Sequence, residues 1–167
     1  MRETRFRAWV KELEKMVRVA AIALEKNSFG TKSYAIGTVP HIYDMDNNCY
    51  PLEGCVLMQF AGLKDKYGKE ICGGDILDCS YINPMTDNKV ERLFFVEYSK
   101  AAFMARCISH SPFGDTYLHF ENTKGNIIGN IYENPELLMN TINHRGQRES
   151  FLPGEKEESW KMGVGRG

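Results

Sequence analysis

The chain has no long hydrophobic run. Nowhere in its 167 residues does an apolar stretch approach the roughly 18 residues that a membrane span requires, so no membrane association is expected. An excess of one charge is also missing. Lys and Arg total 21 against 22 Asp and Glu, a formal net charge of -1. Bulk electrostatics therefore gives no drive toward nucleic acid or an anionic surface, although a local basic patch stays open. Histidine is scarce and scattered singly, at His41, His110, His119 and His144. The five cysteines are Cys49, Cys55, Cys72, Cys79 and Cys107. Zinc knuckles want cysteines spaced C-x2-4-C, with further Cys or His clustered nearby. Neither Cys49/Cys55 nor Cys72/Cys79 has that spacing, so no metal and no cofactor are expected. The opening "MRETRFRAWVKELEK" has no apolar core behind its basic residues, so it does not read as a secretory signal. Free thiols in a reducing cytosol are the expectation.

Catalytic patterns are equally thin. A phosphate-binding P-loop needs Gly, four residues, then Gly-Lys-Ser/Thr opening a helix. In "GLKDKYGKE" five residues separate Gly62 from Gly68, Glu70 stands where the hydroxyl belongs, and no helical pattern follows. Asp75 and Asp78 are three apart, which on a strand puts them on opposite faces. Glu91 and Glu97 share a face but lie about 20 Å apart along an extended chain. No Ser/His/Asp or Cys/His arrangement and no dinucleotide fingerprint emerges from spacing. An enzyme is not expected; cysteine chemistry is its least remote form.

Short strands and turns are what the sequence does contain. "TRFRAWV" alternates, with Thr4, Phe6, Ala8 and Val10 on one side and Arg5, Arg7 and Trp9 on the other. "VKELEK" has helical composition but is too short to stand as a helix. "MVRVAAIAL" reads as a second strand in preference to a helical turn. Residues 25–54 are turn-rich, with "YAIGTV" as one short strand candidate. "CVLMQF" suits a buried strand. "DILDCSYI", the hairpin "VERLFFVEYSKAAFMARCI", "TYLHF" and "NIIGNIY" complete the set. "ENPELLMNTI" carries the helix signal: Asn134 as N-cap, Pro135 at the first helical position and Glu136 in the first turn. The polar segment 143–167 reads as a flexible tail. The expected architecture is mainly β: a small barrel, or packed antiparallel sheets of short strands, with one short C-terminal helix. It would occupy residues 1–142, with 25–54 as an insertion.

"FAGLKDKYGKEICGGDILD" (60–78) concentrates glycine and charge. Asp65-Lys66-Tyr67-Gly68 has type I turn chemistry, with Gly68 free to take positive φ. Leu63 and Ile71 flank it as an apolar pair, so a β-hairpin is predicted, with Gly73-Gly74 bending the chain into the next strand. Asp75 is expected to cap that bend.

Three stretches carry a resemblance. "LMQFAGLKDKYGKEICGGDIL" resembles the signature of the YopX family of phage and prophage proteins. "RFRAWVKELEKM" is similar to that family's opening, and "IIGNIYENPELL" to its close. The departures are Val10, Ala61, Tyr67 and the Cys72-Gly73 pair; residues 25–54 and those past 140 match nothing in the pattern. The resemblance implies a β-rich phage protein that self-associates, in the cytoplasm of the bacterial host. It brings no catalytic residues with it.

Two groups of residues are candidate binding sites. Arg5, Arg7 and Trp9 form a cation stripe beside an indole, suited to stacking on a base or meeting an acidic partner. The plainer alternative is a solvated strand face with Trp9 half-buried under the Arg stems. Lys64, Lys66 and Tyr67 make a basic-aromatic hairpin tip. The functional expectation is a non-enzymatic accessory protein of a phage that engages a host or phage macromolecule. Counter-defence, such as inhibition of a CRISPR-type nuclease, fits the phage context that the resemblance implies. The alternatives are an oligomer that sequesters a small nucleotide and a small nucleic-acid-binding barrel, the latter disfavoured by net charge.

Overall fold

The computed structural model describes residues 4–23, 40–99, 101–109 and 114–139. The chain opens with β1 (Phe6–Val10), which reverses through Lys11–Glu14 into β2 (Lys15–Ala23). Next come β3 (His41–Asp44) and β4 (Cys49–Pro51), then the long β5 (Cys55–Lys64) and β6 (Glu70–Cys72). They are followed by β7 (Asp75–Asp78), the small hairpin of β8 (Tyr81–Ile82) and β9 (Lys89–Val90), and the larger one of β10 (Leu93–Ser99) and β11 (Ala102–Cys107). β12 (Thr116–Tyr117) runs into a 3-10 turn at Leu118–Phe120, and β13 (Asn126–Asn130) leads to helix α1 (Glu136–Met139).

The strands form two antiparallel sheets. One has six strands in the order β4-β3-β2-β1-β5-β6, the other five in the order β12-β11-β10-β7-β13; β8 and β9 pair only with each other. Neither order closes on itself, so of the two expected arrangements it is packed sheets and not a barrel.

Alternation decides what each strand buries. Ala8, Val10 and Val17 meet Ile42 on one face of the first sheet, with Leu57, Tyr50 and Val19 packed around them. The largest core joins the sheets: Ala61 and Ile71 of the β5–β6 hairpin pack with Leu77, Phe94, Val96, Ala105 and Leu118. A third cluster, Ile76, Phe95 and Ile108, lies on the other face of the second sheet, covered by Ile131, Leu137 and Leu138. β7 is an interior strand, between β10 and β13, with both faces covered, which is why Ile76 and Leu77 are adjacent in sequence and both fully buried.

The Gly73-Gly74 corner stitches the sheets together. Gly73 N–H donates to the Gln59 carbonyl of β5 at 2.9 Å, and Gly74 N–H donates to the Val96 carbonyl of β10 at 2.7 Å. Asp75 caps the corner as expected, its Oδ2 accepting from the Cys72 N–H at 2.8 Å.

Four readings change. Residues 40–54 are more than turns, because β3 and β4 add to the edge of the first sheet. The hairpin they form turns on Asp44, whose carboxylate accepts from the N–H groups of Asp46 and Asn48, the Asn48 amide and the Tyr50 hydroxyl. "DILDCSYI" is two strands, since the Asp78 carboxylate captures the Ser80 N–H in a local turn and takes it out of any ladder. "TYLHF" is a strand only to Tyr117; the turn that follows buries Leu118 and leaves His119 and Phe120 at the surface. Asn134 does not cap α1 with its side chain. Its Oδ1 instead accepts from the Asn130 N–H at 3.4 Å and lies so close over Gly129 that any Cβ there would collide with it. "YAIGTV" and the 143–167 tail lie outside the described residues.

Candidate functional site

The β1 stripe faces inward. Arg7 Nη2 meets Asp75 Oδ1 at 2.5 Å, tying the first sheet to β7 of the second. The Asp75 side chain is 1% exposed and that of Arg7 18%. Burial pushes the Asp75 carboxyl above the ordinary aspartate value, against the opposing pull of the Arg7 guanidinium and the Cys72 N–H. Trp9 stacks on Tyr132, centroids 6.1 Å apart. Arg5 pairs with Glu70 at 2.6 Å, its guanidinium 4.6 Å from the centroid of the Phe60 ring. Arg7 and Trp9 therefore make contacts from the first sheet to β7 and to the turn after β13, while Arg5, about a third exposed, pairs within its own sheet.

The Lys64–Lys69 hairpin tip is rigidly held. Asp65 is buried, and its Oδ1 accepts from the N–H groups of Tyr67 and Lys69, both at 2.9 Å. Its Oδ2 accepts from the Ile127 N–H of β13 at 3.1 Å. Burial works to raise the Asp65 carboxyl, but these three N–H donors outweigh it and hold the group below the usual aspartate value. Gly68 closes the turn at φ +83, its N–H donating to the Asp65 carbonyl, as the sequence predicts. The Asn122 side-chain amide donates to the Lys64 carbonyl at 2.7 Å and fixes the hairpin to the turn after Phe120. On this platform Tyr67 is 77% exposed, with the Lys66 ammonium 5.0 Å from its ring centroid. The structure thus brings Lys64, Lys66 and Tyr67 together at the surface.

A groove of about 530 Å³ lies beside this tip, and the sequence reading did not find it. Its walls are Gln59, Ala61, Gly62 and Leu63 of β5, Tyr98 and Ala101–Phe103 of the β10–β11 hairpin, and Tyr117 and His119. Tyr98 is 59% exposed and contacts Phe103 edge-on at 5.1 Å. Tyr117 stacks on His119 at 5.7 Å, and His119 touches Phe120, which is itself exposed. Among the described lining residues none carries a carboxylate, a cysteine, a lysine or an arginine. The arrangement suits stacking and neutral hydrogen bonding. A strand reading of "TYLHF" already places Tyr117 and His119 on one face; only the turn after Tyr117 brings Phe120 beside them.

The thiols lie elsewhere. Burial pushes Cys79 up to about 11, helped by Glu121, and burial raises Cys55 and Cys72 as well. Among the described residues no three His, Cys, Asp or Glu side chains cluster closely enough to hold a metal ion, and no helix is long and apolar enough to cross a membrane.

No curated protein matches the chain. Among solved structures, protein EF1440 from Enterococcus faecalis is similar at 24% identity and a TM-score of 0.51, covering 83% of this chain and 99% of its own. That likeness is one of fold. The family model described as YopX protein matches residues 5–139, a span holding both sheets, the stitched hairpin and the groove. The chain belongs to the YopX family.

Proposed function

We propose that this protein is a non-catalytic accessory protein of a phage or prophage that acts by binding another protein through the aromatic groove and the adjoining hairpin tip. The observation that carries the reading is the exposure of Tyr98 and Tyr117 in the walls of one groove, with Phe120 exposed beside His119 and Tyr67 exposed on the neighbouring hairpin. Large aromatics at a surface supply contact area at low entropic cost and are enriched where partners bind. On this reading the target is a host or phage protein, and a defence nuclease of the CRISPR type is the first to try.

Nucleotide sequestration and nucleic-acid binding have less support. Both ligands carry phosphate; the described groove-lining residues include no Lys or Arg, so the phosphate would have to reach Lys64 or Lys66 on the adjoining tip.

The test is affinity capture from a defence-bearing host lysate with wild-type protein and with a Tyr98→Ala/Tyr117→Ala variant. The expected result is a partner retained by the first and lost by the second, with loss of defence activity only for wild type. Retention of the same proteins by both variants would refute a role for the groove.

A further inference from the structure

We infer that the exposed lysines of the Lys64–Lys69 hairpin tip, with Lys124 on the turn beside it, take an acidic segment of the partner protein. This deepens the binding reading above and rests on it. Charge at the tip is one-sided. Lys64, Lys66 and Lys69 are all exposed. The tip's own carboxylate, Asp65, is buried, and both of its oxygens accept from backbone N–H groups. It shapes the turn and offers solvent almost none of its surface. Glu70, which stands opposite Lys64 across the β5–β6 ladder, is engaged by Arg5 at 2.6 Å.

A second source of positive charge adjoins the tip. Lys66 N–H donates to the Gly125 carbonyl at 3.0 Å, which sets the tip beside Lys124. There Arg92 and Lys124 share one carboxylate oxygen of Glu121, at 3.1 and 3.3 Å. The Glu121 side chain is 5% exposed and that of Lys124 55%, so the cation faces water and its acid does not. Asp78 is the neighbouring acid, and it is partly buried. Burial raises its carboxyl, but Ser80 and, after it, the ammonium groups of Lys89 and Lys66 hold it below the ordinary aspartate value. Each inward acid thus leaves cations on the outside. The Asn122 amide fixes the tip at the Lys64 carbonyl, so a ligand meets a backbone that is already ordered.

An acidic peptide fits this corner better than a nucleic acid. A strand of phosphates asks for a continuous basic track and for several rings on which bases stack. Here the cations gather at one corner of a chain whose formal net charge is -1. The ring at the tip, Tyr67, already has the Lys66 ammonium 5.0 Å from its centroid. Lysines are point charges on flexible stems, and carboxylates on a short segment can meet them one by one. The Tyr67 hydroxyl adds a donor.

The experiment is a fluorescence anisotropy titration of full-length protein into labelled deca-glutamate, labelled deca-lysine and labelled ten-residue oligo-dT. At about 50 mM salt deca-glutamate should bind saturably with a Kd on the order of 100 µM. Raising the salt to about 500 mM should weaken it about tenfold or more, because exposed charges carry the contact. Deca-lysine should not saturate, and oligo-dT should bind at least about threefold more weakly than deca-glutamate. Lys66→Gln/Lys124→Gln should weaken deca-glutamate binding about fivefold or more. Lys11→Gln/Lys15→Gln, an equal loss of charge at the β1–β2 turn, should leave it within about twofold. All four lysines are exposed, so the far-UV circular dichroism spectrum should not change. Equal effects of the two double variants, oligo-dT binding as tight as deca-glutamate, or no saturation with deca-glutamate up to about 1 mM protein would overturn the proposal. Lysate capture with the same variants separates the two levels. A partner lost by Tyr98→Ala/Tyr117→Ala and kept by Lys66→Gln/Lys124→Gln removes the acidic segment and leaves the groove reading, whereas capture that no variant changes removes both.

Discussion

Replacing Arg7 with Met should unhinge the two sheets more than any surface substitution. Arg7→Met keeps an unbranched stem of similar length to the arginine's aliphatic part and removes the guanidinium that meets Asp75 Oδ1 at 2.5 Å. Asp75 is then left 1% exposed, with the Cys72 N–H still donating to its Oδ2. At an effective dielectric near 20 two unit charges about 4 Å apart attract by about 4 kcal/mol, and this pair is closer than that. Breaking a buried pair from one side typically costs about 3–5 kcal/mol. Arg7 keeps some contact with water, so about 3 kcal/mol is expected, a large share of a typical domain's total stability. Asp75 is already raised by burial, and the variant raises it further. The sign follows: a carboxyl with a raised folded value holds its proton more tightly folded than unfolded, so stability falls as pH rises through the interval from the ordinary aspartate value to the folded one. The penalty of Arg7→Met should therefore shrink on acidification from neutral pH toward about pH 5. Urea unfolding across that range, followed by circular dichroism, measures it. A double variant, Arg7→Met/Asp75→Leu, should recover at least half of the loss. A single-variant penalty under about 1 kcal/mol, or one independent of pH, would refute the reasoning.

Two further outcomes are expected. Asp65→Ala should cost about 2–3 kcal/mol, because three backbone N–H groups lose their acceptor; its folded value lies below the ordinary one, so the wild type loses this contribution as pH falls through that folded value and the variant should show a flatter acid limb in pH-dependent thermal melts. Cys79, buried and held near 11, should resist an aromatic disulfide reagent at about pH 8 until urea unfolds the chain, and reaction in the native state at the rate of a free thiol would contradict its placement.

Much of the fold is legible because its signals are local. Alternation in "TRFRAWV", turn chemistry in "DKYG" and the length of "CVLMQF" each specify a short piece of strand or hairpin, and those pieces are present as β1, the Asp65–Gly68 turn and β5. The misses are places where a side chain overrides the local pattern through a backbone bond. Asp44 and Asp78 draw nearby N–H groups into tight turns, making one hairpin and splitting one strand. The inward turn of the β1 stripe was not legible either. Arg7 and Trp9 look polar and exposed until Asp75 of β7 and Tyr132 in the turn after β13 meet them, both far along the chain.

The same long-range contacts explain why the family signature says little about activity. Its three stretches meet one another: Arg5 reaches Glu70, Arg7 reaches Asp75, Trp9 stacks on Tyr132, and Asp65 accepts from Ile127. Each contact joins elements distant in sequence, and each partner lies in one of the three matched stretches. A residue held by a buried ion pair or a backbone staple has little freedom to change without loss of the fold. The ring-bearing walls of the groove are of another kind. Tyr98, Phe103, Tyr117 and His119 lie outside all three stretches, and Tyr98 and Tyr117 stand half or more exposed. Only the β5 wall, Gln59 to Leu63, belongs to the signature, and there it is the strand backbone that the fold requires. Substitution at Tyr98 or Tyr117 should therefore alter what the protein binds while leaving intact the frame that the signature maintains.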